Sequence, residues 1–246
     1  MNEMLEQVIS RRDTWRGRRT RFHYHEPSAN SSHHGSGLTT GYSTLDAQLD
    51  QGGWPLDGTI ELLSDGNGLG AMGPFLPAME TLSEQGRWQA FIAPPYIPYA
   101  PLLAARGIDT RQVLLVHPQN RQDLLWSIEQ ALRSSTCSAV FGWLGADHYR
   151  YSELRKLQLA AAGGDSLAVL FRPNRAAASP SPASLRLQMR AYRQVHILKQ
   201  RGGSQHIDVD LPQAEDVPGQ PQLWELPVWP AAGQHGNALE TCSPVA

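Results

Sequence analysis

Leu56-Asp-Gly-Thr-Ile-Glu-Leu-Leu-Ser-Asp-Gly-Asn-Gly-Leu-Gly-Ala-Met-Gly73 decides how this chain is read. It predicts a short apolar strand over Thr59 to Leu63, a glycine-rich turn, and a helix entered through Met72, Phe75, Leu76, Met79 and Leu82. A strand, a glycine turn and a helix in that order form the front of a phosphate-binding loop, because backbone N–H groups can close on an anion where no side chain intervenes. Glycines at Gly66, Gly68, Gly70 and Gly73 meet that need. A working loop also requires a lysine and a hydroxyl directly after its last glycine. Here Gly73 is followed by Pro74 and Phe75, and Gly70 by Ala71 and Met72, so neither register supplies them. The four glycines read as a vestigial nucleotide loop.

Strand and helix patterns alternate on the C-terminal side of this stretch. Strands are predicted at Trp88 to Ala93, Val113 to Val116, Ser138 to Trp143 and Leu167 to Phe171. Between them lie a helix through Leu102, Leu103 and Arg106 that ends at Gly107, a second over Gln122 to Arg133, and a third over Ser152 to Ala162. Alternation of this kind implies right-handed crossovers and a mostly parallel sheet flanked by helices. Leu185 to Met189 and Val195 to Leu198 read as a closing antiparallel pair, and Ile207 to Leu211 as a strand at the sheet edge.

The 246 residues are enough for one α/β domain with tails. The organisation reads as an arginine-rich helical arm over 1–25, a linker over 26–37, the α/β domain over 38–201, and a Pro/Gly-rich acidic tail over 202–246. No run approaches the roughly 18 apolar residues of a membrane span, and the N-terminus lacks the apolar region of a secretory signal. Cys137 and Cys242 are too few and too far apart for a disulfide framework or a metal site. A cytoplasmic protein that uses no cofactor and no metal is expected.

Charge is unevenly spread. From Gln205 to Ala246 there is no Lys or Arg, and six carboxylates give that stretch −6 within a total of −2, leaving +4 on the rest. Arg11, Arg12, Arg16, Arg18, Arg19 and Arg21 crowd the arm, which also carries Trp15. Such a cluster suits nucleic-acid phosphates and equally suits a protein partner or a solvated face. Leu223-Trp224-Glu-Leu-Pro-Val-Trp229-Pro230 is an aromatic patch in the acidic tail, fit either to order on a partner or to fold back on its own domain. The proline-aromatic run Pro94-Pro-Tyr-Ile-Pro-Tyr-Ala-Pro101 is a third candidate contact surface. Trp54, Trp88, Trp126 and Trp143 are expected in core or turn packing. Arg172, ending a predicted strand before Pro173, stands where open α/β sheets bind ligands, although an ion pair accounts for it better. His117 beside Pro118 reads as structural.

Three blocks resemble the RecA/RadA type of recombinase: Thr40-Gly-Tyr-Ser-Thr-Leu-Asp46, Gly52-Gly-Trp-Pro-Leu-Asp-Gly-Thr-Ile-Glu-Leu-Leu63, and Phe91-Ile92 with the helix up to Gly107-Ile-Asp109. The resemblance implies a RecA-like P-loop NTPase fold with a degenerate nucleotide site. The family's catalytic glutamate falls at Pro95 and its magnesium-orienting acid at Trp143. With the Walker-type lysine also missing, the chain is not expected to be an enzyme.

A longer similarity, over about Glu3 to Arg201, is to the ImuA family of translesion-synthesis accessory proteins. It rests on Arg11-Arg-Asp-Thr-Trp-Arg-Gly-Arg18, Gly53-Trp-Pro55, Gly86-Arg-Trp-Gln-Ala-Phe-Ile-Ala-Pro-Pro-Tyr-Ile-Pro-Tyr-Ala-Pro101, Ala131-Leu-Arg-Ser134 and Leu170-Phe-Arg-Pro173. That family implies a damage-inducible adaptor joining an ImuB-type Y-family polymerase subunit, an error-prone polymerase and RecA, with DNA contact possible through the arm. The SulA family of SOS inhibitors of the division GTPase FtsZ is similar over Gly86-Arg-Trp-Gln89, Ala131-Leu-Arg133, Gly142-Trp-Leu144 and Phe171-Arg-Pro173. An FtsZ-binding inhibitor of division is the alternative; the stretch from Gly41 to Gly73 favours ImuA.

Overall fold

The central strand predicted at the head of the quoted stretch is present as β1 (Thr59–Leu63), with all five residues buried. The computed structural model describes residues 37–65, 71–191 and 193–212. All of them belong to the unit Gly35–Ala246.

Around β1 the elements run in chain order as α1 (Ser43–Asp46), β1, a 3-10 turn (Gly73–Phe75), α2 (Leu76–Ser83), β2 (Trp88–Ile92) and α3 (Ala100–Ala105). A second 3-10 turn (Thr110–Gln112) leads to β3 (Val113–Val116), α4 (Arg121–Arg133), β4 (Cys137–Trp143), α5 (Tyr151–Ala162) and β5 (Leu167–Arg172). The 3-10 segment Asn174–Ala178 then precedes β6 (Leu185–Ala191), β7 (Gln194–Gln200) and β8 (Ile207–Asp210).

The eight strands form one sheet in the order β3-β2-β4-β5-β1-β6-β7-β8. β1 pairs in parallel with both β5 and β6, so that Ile60 lies between Val169 and Leu185. Beyond β6 the pairing turns antiparallel, β6 with β7 and β7 with β8. The sheet is therefore mixed. Among the described residues five pairings are parallel and two antiparallel, and the expectation of a RecA-like P-loop NTPase fold with a degenerate nucleotide site is corrected by the prolines that open the chain's return to the sheet.

The described part of the glycine stretch makes the same correction locally. On the C-terminal side of residues 66–70 the chain forms a 3-10 turn with Pro74 in it, followed by a helix with Pro77 in its first turn. Proline has no N–H, so this entry withholds donors where a phosphate loop presents them. Gly66, Gly68 and Gly70 lie outside the described residues.

Each face of the sheet carries its own core. On one, Ile60, Leu62, Phe91, Phe141, Val169 and Phe171 meet Leu45 of α1, Met79 and Leu82 of α2 and Leu103 of α3. Phe75 is central there, 4.7 Å from Trp54 and 6.1 Å from both Phe141 and Phe171 by ring centroids. On the other, Ala90, Ile92, Val140, Ala168 and Leu170 meet α4 and α5. Leu124, Ile128 and Leu132 form the buried stripe of α4 at the four-residue spacing a helix requires. Its start is fixed by Asn120, whose side-chain oxygen accepts from the Asp123 N–H at 2.9 Å. The start of α5 is fixed in the reverse sense, with the Arg150 N–H donating to Glu153 Oε2 at 2.7 Å.

Two aromatic expectations are corrected. Trp54 and Trp143 do pack inside, but Trp88 is 44% exposed and Trp126 is 62% exposed. Trp88 begins the strand, beyond the cover of either core. Trp126 sits two residues from both Leu124 and Ile128, which places it on the opposite side of α4 from the buried stripe.

Candidate functional site

Five exposed apolar residues lie on β3 and on the loop that follows its neighbour β2. β2 ends at Ile92, and the Ala93 N–H donates to the Val116 carbonyl at 2.8 Å, tying the start of the next loop to the end of β3. That loop is the proline-aromatic run. Pro94 is buried, and beyond it Tyr96 is 62% exposed, Ile97 76% and Tyr99 45%. Tyr99 then caps α3, its carbonyl accepting from the N–H groups of Leu102 and Leu103. Three prolines before α3 restrict the backbone and remove donors, so the loop holds its aromatic side chains out on a stiff frame.

β3 is the sheet edge, and its register explains why Val-Leu-Leu-Val remains uncovered. Leu114 pairs with Ala90 and Leu115 with Phe91. Ala90 and Phe91 belong to opposite cores, so the two leucines point to opposite faces of the sheet. Both remain exposed. An apolar edge without Lys, Glu or Pro lacks the features by which proteins block strand addition. The patch as a whole is uncharged. Its ionic neighbours are paired internally, Arg106 with Glu80 at 2.7 Å and Arg111 with Asp109 at 2.9 Å. The Arg111 side chain, aided by its backbone N–H, holds the Asp109 carboxyl below the usual carboxylate range. Such a surface suits a protein partner better than a phosphate chain.

The charged groups inside the molecule serve a different purpose. Glu61, in the middle of β1, accepts from Arg172 Nη1 at 3.0 Å, Arg186 Nε at 2.8 Å and Ser181 Oγ at 2.7 Å. Arg186 also donates to the carbonyls of Ala176 at 2.8 Å and Ser179 at 3.2 Å, holding the 3-10 segment after β5. Lys199 Nζ donates to the Ser181 carbonyl at 2.9 Å; burial, then the charge of Arg186, pushes the Lys199 ammonium below its ordinary pKa. Arg172, at the end of β5, is thus committed to an internal ion pair. At the neighbouring strand ends, where an acid would orient magnesium, Trp143 stacks on Phe171 at 4.5 Å and on Phe91 at 6.0 Å.

Of the residues singled out from sequence, Gly73 opens its 3-10 turn with open space where a Cβ would stand, so packing does not demand glycine there. Arg11, Arg12, Trp15, Arg16, Arg18 and Arg19, like Trp224 and Trp229, lie outside the described residues. The structure exposes Tyr96 and Ile97 on the loop and Leu114 and Leu115 on the edge strand to which that loop is tied at Ala93 and Val116, and of these sequence reasoning found only the loop. Leu114 and Leu115 gave no local signal, because an edge strand and a central strand share the same apolar run. Trp126 and Glu61 did give signals. One breaks a helical stripe, and the other is a lone acid in a buried strand that must find cations. Among the described residues no three His, Cys, Asp or Glu are placed to hold a metal ion, and no helix is long and apolar enough to cross a membrane.

Comparison with known proteins places these features in a family. The family model "Cell division inhibitor SulA" matches residues 51–168. The cell division inhibitor SulA of Edwardsiella piscicida is 34% identical over 124 residues, covering 47% of this chain and 73% of that protein. That of Cronobacter sakazakii is 32% identical over 98 residues, with 40% and 58% covered. The chain thus spans less than two thirds of some of the relatives it matches. A crystal structure of SulA from Pseudomonas aeruginosa aligns with a TM-score of 0.38 at 25% identity, over 46% of this chain and 97% of that one.

Proposed function

Because the chain belongs to the family of the cell division inhibitor SulA, we propose that it restrains cell division by binding the division GTPase FtsZ, without catalysing a reaction itself. The observation that carries this reading is the uncharged patch of Tyr96, Ile97, Tyr99, Leu114 and Leu115, exposed on the β2–α3 loop and the β3 edge. All five residues fall inside the stretch that matches the family model. A stiff loop presenting aromatic and aliphatic side chains beside an open strand supplies the anchors from which a binding hot spot is built. The activity follows from occupancy of the partner's surface, so stoichiometric amounts are needed.

The test is capture of purified FtsZ by the purified chain, together with cell length on overproduction. FtsZ capture and filamentous cells support the reading. Normal septation at high expression with no capture would overturn it.

A second reading, an adaptor for translesion synthesis that contacts an ImuB-type polymerase subunit, an error-prone polymerase and RecA, is favoured by one observation. Leu38 and the strands β6, β7 and β8 lie outside residues 51–168, yet they are built into the same sheet and core. They give the chain folded surface beyond what the family stretch includes. Capture of an ImuB-type subunit or RecA in place of FtsZ would select this reading.

A further inference from the structure

The solvent side of α5 carries a second surface, chemically unlike the uncharged patch. Tyr151, Arg155 and Leu159 are spaced four residues apart on it, and Lys156 stands beside Arg155. All four are exposed, Leu159 at 58%. Tyr151, Arg155 and Leu159 at four-residue spacing form one stripe along the helix, with Lys156 on its flank three residues before Leu159, so that an aromatic ring and an isobutyl group bracket two cations.

What sets this stripe apart is that its cations have no counter-ions among the described residues. The other helix cations nearby are neutralised: Arg121 of α4 binds Glu153 at 2.5 Å, and Arg133 binds Glu129 at 2.8 Å. These pairs also occupy the carboxylates Glu153 and Glu129. Arg155 and Lys156 have no side-chain partner among the described residues. Helix propensity alone does not ask for adjacent unpaired cations flanked by exposed Tyr and Leu, since either apolar residue costs solubility with no packing in return.

We propose that this face of α5 docks an acidic, amphipathic segment of a partner protein, its carboxylates on Arg155 and Lys156 and its apolar side chains over Tyr151 and Leu159. Charge complementarity selects the occupant. Two cations are few for a nucleic-acid backbone, which is tracked by longer basic rows, and an exposed leucine beside them adds nothing to phosphate binding. The surface is independent of the FtsZ reading, since it shares no residue with the β3 patch.

The test uses the full chain and a labelled helical peptide with glutamates along one face and leucines beside them, read by fluorescence anisotropy. Binding is expected to weaken several-fold as salt is raised to physiological strength, and the same peptide with lysine for glutamate should not bind. Arg155→Gln with Lys156→Gln should lower affinity at least about tenfold, and Leu159→Ser several-fold, with thermal unfolding unchanged in each. Ile97→Asp, on the other patch, should leave peptide binding intact, so the two surfaces fail separately. Unchanged binding by the Arg155/Lys156 variant would overturn the proposal. So would preferential binding of duplex DNA or of anionic phospholipid vesicles. Peptide binding that appears only when residues 213–246 are removed would overturn it in favour of the chain's own acidic stretch.

Discussion

Glu61 Oε2 and Arg186 Nε lie 2.8 Å apart between neighbouring strands, with 1% and 8% of their side chains exposed. The same carboxylate serves Arg172, so one buried anion faces two buried cations. Removing one member of such a group leaves the others desolvated and uncompensated. Glu61→Gln should lower stability by about 3–5 kcal/mol in urea unfolding, whereas Glu61→Leu with Arg172→Met and Arg186→Met should recover much of that loss. A single-variant loss below about 1 kcal/mol, the range of an exposed pair, would show that the network contributes little.

Gln158 fastens α5 to the centre of the sheet. Its Oε1 accepts from both the N–H and the hydroxyl of Thr59, at 2.8 and 2.7 Å, and its Nε2 donates to Ser184 Oγ at 3.1 Å. Gln158→Leu should cost about 1–3 kcal/mol through the orphaned donors. Gly58→Ala should mimic it, because a Cβ there would lie 2.2 Å from Ser184 Oγ and 2.3 Å from Gln158 Nε2. If Gly58→Ala unfolds at the same urea concentration as the parent, the bridge is not rigid.

Two tryptophans should respond in opposite ways. Trp54 is fully buried against Phe75 and Trp126 is mostly exposed. Trp54→Ala should therefore cost about 3–5 kcal/mol, and Trp126→Ala less than about 0.5 kcal/mol. Chemical denaturation of the two variants side by side checks the contrast.

Charge placed on the apolar patch should separate binding from folding. Ile97→Asp and Leu114→Asp alter exposed side chains, so unfolding midpoints should stay within about 0.5 kcal/mol of the parent. Affinity for FtsZ should fall at least about tenfold. Retained affinity in both variants would remove the loop and the β3 edge from the interface.

Burial pushes the Cys137 thiol above its ordinary pKa, against smaller opposing effects of Thr136, Ser134 and Arg87. Since the thiolate is the reactive form, Cys137 should react slowly with a thiol reagent in native protein at neutral pH and quickly in denaturant. The raised folded value has a linkage consequence: the neutral thiol is favoured by folding, and this contribution fades as pH rises through the unfolded pKa into the alkaline range. Rapid native labelling of Cys137 would show that β4 opens locally. Cys242 must be substituted first.

The order of strands along the chain was legible because buried strands and amphipathic helices write different periods into it, and no β1-to-β5 strand was missed. Their partners were less legible. Leu185 to Met189 was matched to its antiparallel neighbour, as its short connection to β7 allows, but its parallel pairing to β1 is set by the rest of the sheet. The glycine turn suggested a phosphate loop, and the prolines after it carried the contrary information. On the candidate site, the proline-rich sequence identified the loop, while the exposure of Leu114 and Leu115 depends on β3 having no outer neighbour among the described residues. In α4 the buried stripe runs through Leu124, Ile128 and Leu132, and that choice of face is what leaves Trp126 facing out.

β1 sits between β5 and β6, so both of its ladders wait for residues made long after it. During synthesis, a strand rich in Ile and Leu must stay unpaired until more than a hundred further residues have been added, and its second flank closes only when the β6–β7 hairpin arrives. Loop closure over such separations slows folding. The hairpin that follows the family stretch therefore acts as the latch of the sheet, and a nascent chain stalled before Leu185 would offer the side of β1 that β6 later covers to whatever apolar strand it met first.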